Sequence, residues 1–324
     1  MQSNDSSMHT YGLSFLFQRS IMKKTIFITG VSSGFGKATL IELAKQDHFI
    51  FAGLRGGKDR FENCYSQELS NELFKSKYKE GKIIPIDLHL EDQQSIKNAI
   101  LQISDSNFPP LEVLINNAGY GSLRPVECQS FELIKNQTQV NFLGPFQLIY
   151  ECLPLLRKTH GKIINISSIA GLTTFPFYGP YSASKHALDA MTESLFYELK
   201  KFNISVSLIE PGGFATEFVK KSMDNTQMTD RLSLYESEIS KFDEMLESKK
   251  THFFLGKPEK ITNLIIKIIY KKNTKLRYLV GIDAWCLYCL KKVLPDSLRT
   301  WGVYHFFQKM VFRNSLHHTK SSRI

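Results

Sequence analysis

The chain has 324 residues, of which 42% are hydrophobic and 22% charged; this composition excludes a disordered or fibrous protein and fits one large α/β domain. No run of about eighteen apolar residues predicts a transmembrane helix. The net charge of +10 is concentrated at one end, because residues 251–324 carry 14 Lys+Arg and 3 Asp+Glu, whereas the first 250 residues carry 27 and 28.

The first 22 residues are predicted to be a tail that precedes the folded domain. Their apolar patch, residues 11–17, is short and has no Lys or Arg before it, which is not typical of a secretory signal. Five cysteines, an odd number, do not indicate a disulfide framework, so we expect a reducing, cytoplasmic environment. Cys286 and Cys289 form a Cys-x-x-Cys pair without a second pair of ligands, and no metal site is expected.

Short apolar runs alternate with helical patterns over residues 24–212. The runs predict strands at 25–29, 49–53, 83–86, 113–115, 163–166 and 204–209, and the patterns between them include helices at 37–45, 91–103 and 183–202. This alternation predicts an α/β fold with a doubly wound parallel sheet, the Rossmann fold, in a single domain. A late strand at 278–281 would complete a catalytic domain of residues 23–281, followed by a basic, amphipathic helical extension at 282–324.

A glycine-rich turn follows the first strand directly. It reads Thr29-Gly30-Val31-Ser32-Ser33-Gly34-Phe35-Gly36 and leads into a helical pattern. Glycines let the backbone approach a pyrophosphate, and the free amides of a helix N-terminus favour that anion. Three residues rather than one separate the first two glycines, which departs from the general dinucleotide fingerprint. We expect nucleotide contacts from the seven residues of this turn other than Val31.

Five further motifs follow in order along the chain. They are Asn116-Asn117-Ala118-Gly119, Asn141 in Asn-Phe-Leu-Gly, Ser168 after the fifth strand, Tyr181 with Lys185, and Pro211-Gly212 with Thr216. Together with the glycine-rich turn they resemble the short-chain dehydrogenase/reductase family over residues 24–216. Residues 51–55 and the extended C-terminus are similar to its steroid and retinol dehydrogenase subgroup.

The resemblance implies an oxidoreductase that transfers a hydride between a nicotinamide cofactor and an alcohol or carbonyl. It implies that Asn141, Ser168, Tyr181 and Lys185 are catalytic, and that Asn141 kinks its helix and helps to hold a water near Lys185. It also implies a homodimer or homotetramer formed through the helices that bear Asn141 and Tyr181. Beyond the glycine-rich turn, the expected cofactor contacts are Arg55, Asp87, Leu88, Asn117, Ala118, Gly119, Tyr181, Lys185, Pro211, Gly212 and Thr216.

The chemistry of Tyr181 and Lys185 can be argued from their spacing. Residues four apart at the start of a helix share one face. A tyrosine pKa of about 10 makes a poor base at neutral pH, but a nearby ammonium and the positive ring of an oxidised nicotinamide favour the phenolate. Tyr181 then exchanges a proton with the substrate oxygen, while Ser168 hydrogen-bonds that oxygen.

The end of the second strand bears on the choice of cofactor. An acidic residue there would bind the ribose 2′-hydroxyl of NAD, but Leu54 and Arg55 occupy this place. Arg55 is suited to the 2′-phosphate of NADP, with Ser33 or Lys58 assisting. The resemblance places Asp87 near the adenine rather than the ribose. We therefore expect NADP(H) to be preferred, with NAD(H) as the alternative.

Apolar and aromatic residues surround the expected substrate position. Leu172, Phe175, Phe177 and Tyr178 lie between Ser168 and Tyr181, and a lid is expected at about 214–255. These features favour a lipophilic substrate of steroid, retinoid or fatty type, with Ser168, Phe175 and Tyr181 in contact with it.

Two interpretations of the basic C-terminus remain open. Residues 298–313 place Leu298, Trp301, Tyr304, Phe307 and Val311 on one stripe, which fits either packing on the domain or peripheral contact with an anionic membrane. No nucleic-acid-binding motif accompanies the charge, so nucleic acid is not an expected partner. A non-catalytic NADP(H)-binding sensor or scaffold is the alternative function. An epimerase or dehydratase would need a different glycine spacing and a longer substrate domain.

Overall fold

The computed structural model describes residues 23–214, 217–223, 228–248 and 256–312. The predicted tail at 1–22 and the predicted cofactor residue Thr216 lie outside these ranges. Seven strands form one parallel sheet in the order β3-β2-β1-β4-β5-β6-β7, which confirms the predicted doubly wound α/β fold. They are β1 Thr25–Thr29, β2 Phe49–Leu54, β3 Ile83–Asp87, β4 Val113–Asn116, β5 Lys162–Ile166, β6 Ser205–Pro211 and β7 Arg277–Val280.

Helices cover both faces of this sheet. In chain order they are α1 Gly34–Ala44, α2 Gly57–Cys64, α3 Glu72–Lys79, α4 Gln93–Ser104, α5 Phe131–Thr138, α6 Gly144–Thr159, α7 Gly179–Glu198, α8 Glu217–Ser222, α9 Glu236–Glu247, α10 Glu259–Tyr270, α11 Ile282–Val293 and α12 Asp296–Phe307. A π-helical turn, Gln139–Leu143, joins α5 to α6. Such turns occur where a helix is bent at a functional position.

The core is divided by the sheet into two apolar layers. One layer packs Ile28 of β1 and Ile50 of β2 against Leu40 of α1 and Ile265 of α10. The other packs Phe27 of β1 against helices α4, α6 and α7. Strands buried on both faces need nearly continuous apolar sequence, which is why the short runs in the sequence mark the sheet so well.

The strand order reverses between β3-β2-β1 and β4-β5-β6-β7, so the chain leaves β1 and β4 in opposite directions across the sheet. A crevice opens at the carboxyl ends of the strands beside such a reversal, and ligands of doubly wound folds bind there. The glycine-rich turn, the Asn116–Gly119 segment, Ser168 and Pro211 all follow or end strands at this edge. The topology therefore gathers the sequence motifs at one edge.

The C-terminal helices differ from the single amphipathic stripe expected for 298–313. Phe307 and Val311 are buried, whereas Leu298, Trp301 and Tyr304 are each more than half exposed. The buried pair packs in a third apolar cluster with Phe177 and with Phe242 of α9. None of the helices in the described ranges is long and apolar enough to cross a membrane.

Candidate active site

A cleft of about 360 Å³ opens at the carboxyl ends of the strands. Fifteen of the predicted site residues line it: Gly30, Ser32, Ser33, Gly34, Phe35, Arg55, Leu88, Asn117, Ala118, Gly119, Ser168, Tyr181, Lys185, Pro211 and Gly212. Thr29, Gly36, Asp87, Asn141 and Phe175 do not line it, although most of them support residues that do. The structure thus brings predicted site residues from six strand ends into one cavity.

The glycine-rich turn needs glycine at two positions for different reasons. Gly30 has φ of +71°, and a Cβ there would stand 2.6 Å from Cα of Ala118. Gly36 packs on the same turn, because a Cβ would stand 2.2 Å from the carbonyl oxygen of Gly30. The turn is therefore pressed against the Asn116–Gly119 segment and opens its backbone to the cleft, as a pyrophosphate cradle requires.

Thr29 and Asn117 hold these two segments together. The Thr29 hydroxyl accepts hydrogen bonds from the backbone amides of Asn117 and Ala118, both at 3.1 Å. Asn117 Nδ2 donates to the carbonyl oxygens of Thr29 and Gly30 at 3.0 and 3.1 Å. Thr29 is fully buried, so it shapes the cradle instead of touching a ligand in the cleft.

Ser168, Tyr181 and Lys185 meet at the other end of the cleft. Lys185 Nζ donates to the carbonyl oxygen of Ile166 at 3.0 Å and lies 6.0 Å from the centre of the Tyr181 ring. Burial lowers the pKa of Lys185 to about 8, opposed by the charge of Asp189. Burial also raises the pKa of Tyr181, while a hydrogen bond with Ser168 lowers it. The three side chains thus form one group at this end of the cleft, in which Tyr181 and Lys185 are buried and Ser168 is half-buried.

Asn141 lies behind this group, in the π-helical turn. Its Nδ2 donates to the carbonyl oxygen of Tyr120 at 2.8 Å and to the Ser184 hydroxyl at 3.1 Å. Its Oδ1 accepts from the backbone amide of Tyr120 at 3.0 Å. Both amide hydrogens are thus committed to protein atoms, and Asn141 ties the Asn116–Gly119 segment to α7 beside Lys185.

Two arginines line the far end of the cleft, beyond the carboxyl end of β2. Arg55 was predicted, but Arg60 of α2 was not, and the predicted assistant Lys58 lies outside the lining. Arg55 Nη1 is 4.0 Å from Glu91, a further lining residue that the sequence did not reveal. Asp87 accepts a hydrogen bond from the Gly56 amide at 2.8 Å, so it fixes the turn between the two arginines.

Aromatic side chains form the wall near Tyr181. Phe218 of α8 lies 5.3 Å from Tyr181 between ring centres, and Tyr178 lies 6.5 Å from it. Both line the cleft, together with Leu123 and Phe214. Phe175 instead packs on Tyr178 and on Phe307 of α12, one layer behind the lining. Phe214 and Phe218 lie in the segment expected to form the lid, whereas Leu123 was missed because no motif marks it.

The cleft has the parts that a nicotinamide dinucleotide requires. An open backbone cradle lies at its centre, arginines lie at one end, and a tyrosine with a buried ammonium lies at the other. Within the described ranges, no group of His, Cys, Asp and Glu is placed to hold a metal ion.

The chain is similar to known dehydrogenases and reductases. A model of the short chain dehydrogenase family matches residues 24–227. A probable short-chain type dehydrogenase/reductase, VdlC of Helicobacter pylori, is 34% identical over 83% of this chain and 93% of its own. The 3-ketodihydrosphingosine reductase of Bacteroides thetaiotaomicron is 32% identical over 87% and 97%. Human retinol dehydrogenase 8 is 30% identical over 83% and 85%.

Solved structures share the architecture. A short-chain dehydrogenase from Streptomyces avermitilis superposes with a TM-score of 0.68 at 24% identity, covering 87% of this chain and 95% of its own. A short chain dehydrogenase from Burkholderia cenocepacia, solved in complex with NADP, gives 0.64 at 19%, covering 86% and 96%. At these identities the likeness establishes the fold.

Proposed function

The chain belongs to the short chain dehydrogenase family, and on that premise we propose that it interconverts a lipophilic carbonyl and its alcohol with NADP(H), using Tyr181 as the proton carrier. It is an oxidoreductase of alcohols or carbonyls with a nicotinamide cofactor. The observation that carries the residue assignment is the convergence of Ser168, Tyr181 and Lys185 at one end of the cleft, with the glycine cradle at its centre.

The cofactor is proposed to lie along the cleft from Arg55 to Pro211. The glycine turn holds the pyrophosphate, and Asn117, Ala118 and Gly119 line the path between the ends. Gly212 and Pro211 border the nicotinamide, with Thr216 as a further contact proposed from the sequence. When bound, NADP(H) supplies or accepts the hydride, while the protein supplies position and electrostatics.

In the direction of reduction, Tyr181 gives its phenolic proton to the carbonyl oxygen as that oxygen gains negative charge. Ser168 hydrogen-bonds the same oxygen and stabilises the charge. The Lys185 ammonium, held on the Ile166 carbonyl, stabilises the phenolate that Tyr181 leaves behind. In the direction of oxidation, the same phenolate accepts the alcohol proton.

Preference for NADP(H) is supported by Arg55 and Arg60, which both line the adenosine end of the cleft. A 2′-phosphate would accept charge-assisted hydrogen bonds from either guanidinium. Leu54 supplies no carboxylate at the strand end where NAD-binding relatives of this fold carry one. Glu91 lies 4.0 Å from Arg55, so an incoming phosphate would compete with it for the arginine.

A lipophilic substrate is supported by the aromatic wall of Tyr178, Phe214 and Phe218 beside the catalytic end. Pockets lined in this way select apolar ligands with few polar groups. Two of the similar proteins are named for a 3-ketodihydrosphingosine and for retinol, both long apolar molecules with an oxygen function. Steroid, retinoid and fatty carbonyls are therefore the classes to examine.

The substrate proposal is tested by following NADPH oxidation at 340 nm with a panel of carbonyls. The panel pairs each long-chain or polycyclic carbonyl with a short, polar one of the same functional group. We expect higher kcat/KM for the lipophilic member of each pair and higher activity with NADPH than with NADH. Equal rates across the pairs would refute the lipophilic site, and a preference for NADH would refute the assignment of the arginines.

Three further parts of the proposal concern the chain outside the cleft. Residues 23–281 are proposed as the catalytic unit, with a lid at about 214–255, and 282–324 as its extension. Exposed apolar side chains on α11 and α12, among them Trp285 and Trp301, support peripheral contact with a membrane surface. Exposed Tyr150 of α6 and Tyr197 of α7 support a homodimer or homotetramer through those helices.

A further inference from the structure

Four ionisable residues form a cluster directly behind Ser168, Tyr181 and Lys185. They are Asp189, Glu193, Glu210 and Arg277. Asp189 lies one helical turn after Lys185 on α7, and its side chain is only 5% exposed. Arg277 Nη1 of β7 lies 3.4 Å from Asp189 Oδ2 and 2.6 Å from Oε1 of the fully buried Glu210. Nη2 of the same arginine donates to the partly exposed Glu193 at 2.9 Å. An ionic cluster this deep is costly unless its geometry is satisfied, so its position beside the site calls for an explanation.

Asp189 also contacts the turn that carries Ser168. The hydroxyl of Ser167 donates to Asp189 Oδ1 at 2.5 Å. The 3₁₀ turn Ile169–Gly171 follows Ser168, and a Cβ on Gly171 would stand 2.6 Å from Asp189 Oδ2. The carboxylate therefore touches the chain on both sides of Ser168, while Lys185 holds the preceding carbonyl, that of Ile166.

The neighbours of Asp189 shift the pKa values of the two buried carboxyl groups in this cluster. Burial and the charge of Asp189 raise the pKa of Glu210 to about 8, and the Arg277 guanidinium opposes that rise. Burial raises the pKa of Asp189 as well, but the Ser167 hydrogen bond and Arg277 oppose that rise. The Ser167 hydroxyl and the Arg277 guanidinium both contact Asp189 and favour its carboxylate form, and Lys185 lies one helical turn away on α7.

We propose that Asp189 is a positioning residue of the active site, which holds the Ser168 turn and keeps Lys185 protonated. This inference rests on the proposed function, since it acts through Ser168 and Lys185. An ammonium in a buried site loses its proton at lower pH unless a negative charge faces it. On α7 that charge is Asp189, one turn away from Lys185.

The test is the pH dependence of the holoenzyme with Asp189→Asn. Asparagine keeps the shape and can still accept from Ser167, but it removes the charge. Above its pKa Lys185 becomes neutral, so activity falls on the alkaline side; without the Asp189 charge that fall moves to lower pH. We expect the alkaline limb of the kcat profile, where activity falls, to move to lower pH by about one unit, which is the shift that one neighbouring charge produces in a pKa.

Two companion variants separate charge from folding. Glu193→Gln alters the partly exposed partner of the same arginine and should leave the limb where it is. Ser167→Ala removes the anchor of the turn together with a hydrogen bond that favours the Asp189 carboxylate, and should lower kcat. An unmoved limb in Asp189→Asn, an equal shift in Glu193→Gln, or an unchanged kcat in Ser167→Ala would overturn the inference. Circular dichroism and the thermal midpoint report whether each variant is folded.

NADPH affinity measured by protein fluorescence across the same pH range gives a readout that needs no turnover. Lys185 lines the cofactor cleft, so loss of its charge should weaken NADPH binding, and in Asp189→Asn this weakening should begin at lower pH. A protein that binds NADPH but reduces no carbonyl would refute the proposed function. The pH dependence of NADPH binding would still test the role of Asp189. A profile moved to lower pH in Asp189→Asn supports that role, and an unmoved profile contradicts it.

Discussion

Arg55 and Arg60 illustrate what a sequence reveals about single residues. Arg55 follows the second strand directly, where position along the chain fixes its place at the cleft. Arg60 lies on α2, and the turn that brings it back to the cleft depends on Gly56, whose φ is +80°. Spacing alone does not specify such a turn, so Arg60 was not predicted, and Lys58, which the sequence offered instead, pairs with Glu62 at 3.9 Å outside the cleft.

At the same scale, Arg55→Ala should weaken NADPH binding by about 10- to 100-fold, because a hydrogen bond to a charged group contributes about 1.5–3 kcal/mol. NADH binding should change little, since NADH has no 2′-phosphate. Fluorescence titration with both cofactors measures the difference. Lys58→Ala is the matched control and should bind NADPH as the wild type does. Equal losses of affinity for NADPH and NADH would show that Arg55 does not bind the 2′-phosphate.

The residues proposed as catalytic could be found from the sequence because each lies in a motif tied to a strand end or a helix start. Their supporting residues could not. Asp189 and Arg277 are 88 positions apart, and only the pairing of β6 with β7 brings the arginine to the helix. Ser167 belongs to none of the motifs found in the sequence, yet its hydroxyl donates to Asp189. Such contacts form only once the sheet has folded, and no local sequence pattern marks the residues that make them.

Among the elements, the strands were predicted to within a few residues and the C-terminal helices were predicted less well. The sixth run was expected to end at 209, but β6 continues through Glu210 and Pro211. A buried glutamate contradicts the apolar pattern, and Arg277 is what stabilises it there. The stripe at 298–313 was expected to face one environment, but only its members Phe307 of α12 and Val311, which follows α12, are buried, and they pack with Phe177 and with Phe242 of α9.

That packing places α12 behind the aromatic side chains that line the cleft. Phe307 stacks on Phe175 at 6.2 Å and lies 6.5 Å from Phe242 between ring centres. Phe307→Ala should destabilise this region by about 3–5 kcal/mol, the usual cost of truncating a buried phenylalanine. We expect a higher KM for the substrate and a lower thermal midpoint, with NADPH affinity nearly unchanged.

The adjacent Phe306→Ala is the control, because Phe306 is 55% exposed. It should leave both KM and the midpoint close to the wild-type values. Steady-state kinetics and differential scanning fluorimetry measure the pair. If Phe306→Ala raised KM as much as Phe307→Ala, α12 would not act through its buried face.

At the scale of the whole molecule, the two exposed apolar regions lie on different helices and suit different partners. Tyr150 and Tyr197, on α6 and α7, are 66% and 63% exposed. A second copy packed on these helices would bury them. Tyr150→Arg should then shift the protein towards monomer, as measured by multi-angle light scattering after size exclusion. A wild-type protein that is already monomeric would contradict the proposed assembly.

The other region, on α11 and α12, combines exposed tryptophans with basic charge. Anionic lipid attracts each nearby Lys or Arg by roughly 1 kcal/mol, so flotation with phosphatidylserine vesicles should exceed that with phosphatidylcholine alone. The double variant Trp285→Glu, Trp301→Glu should lose this binding while keeping NADPH affinity. Equal flotation of variant and wild type would remove the C-terminal helices from membrane contact.

The central claim is that Tyr181 carries the proton between the enzyme and the substrate oxygen. Tyr181→Phe removes only the hydroxyl from a side chain packed beside Phe218 and Tyr178. Proton transfer by a positioned side chain contributes about 100- to 10,000-fold to rate, so kcat of the variant should fall by at least about 100-fold. The decisive measurement is single-turnover oxidation of bound NADPH in wild type and variant. The account predicts tight NADPH binding with almost no oxidation in Tyr181→Phe, and oxidation at the wild-type rate would contradict it.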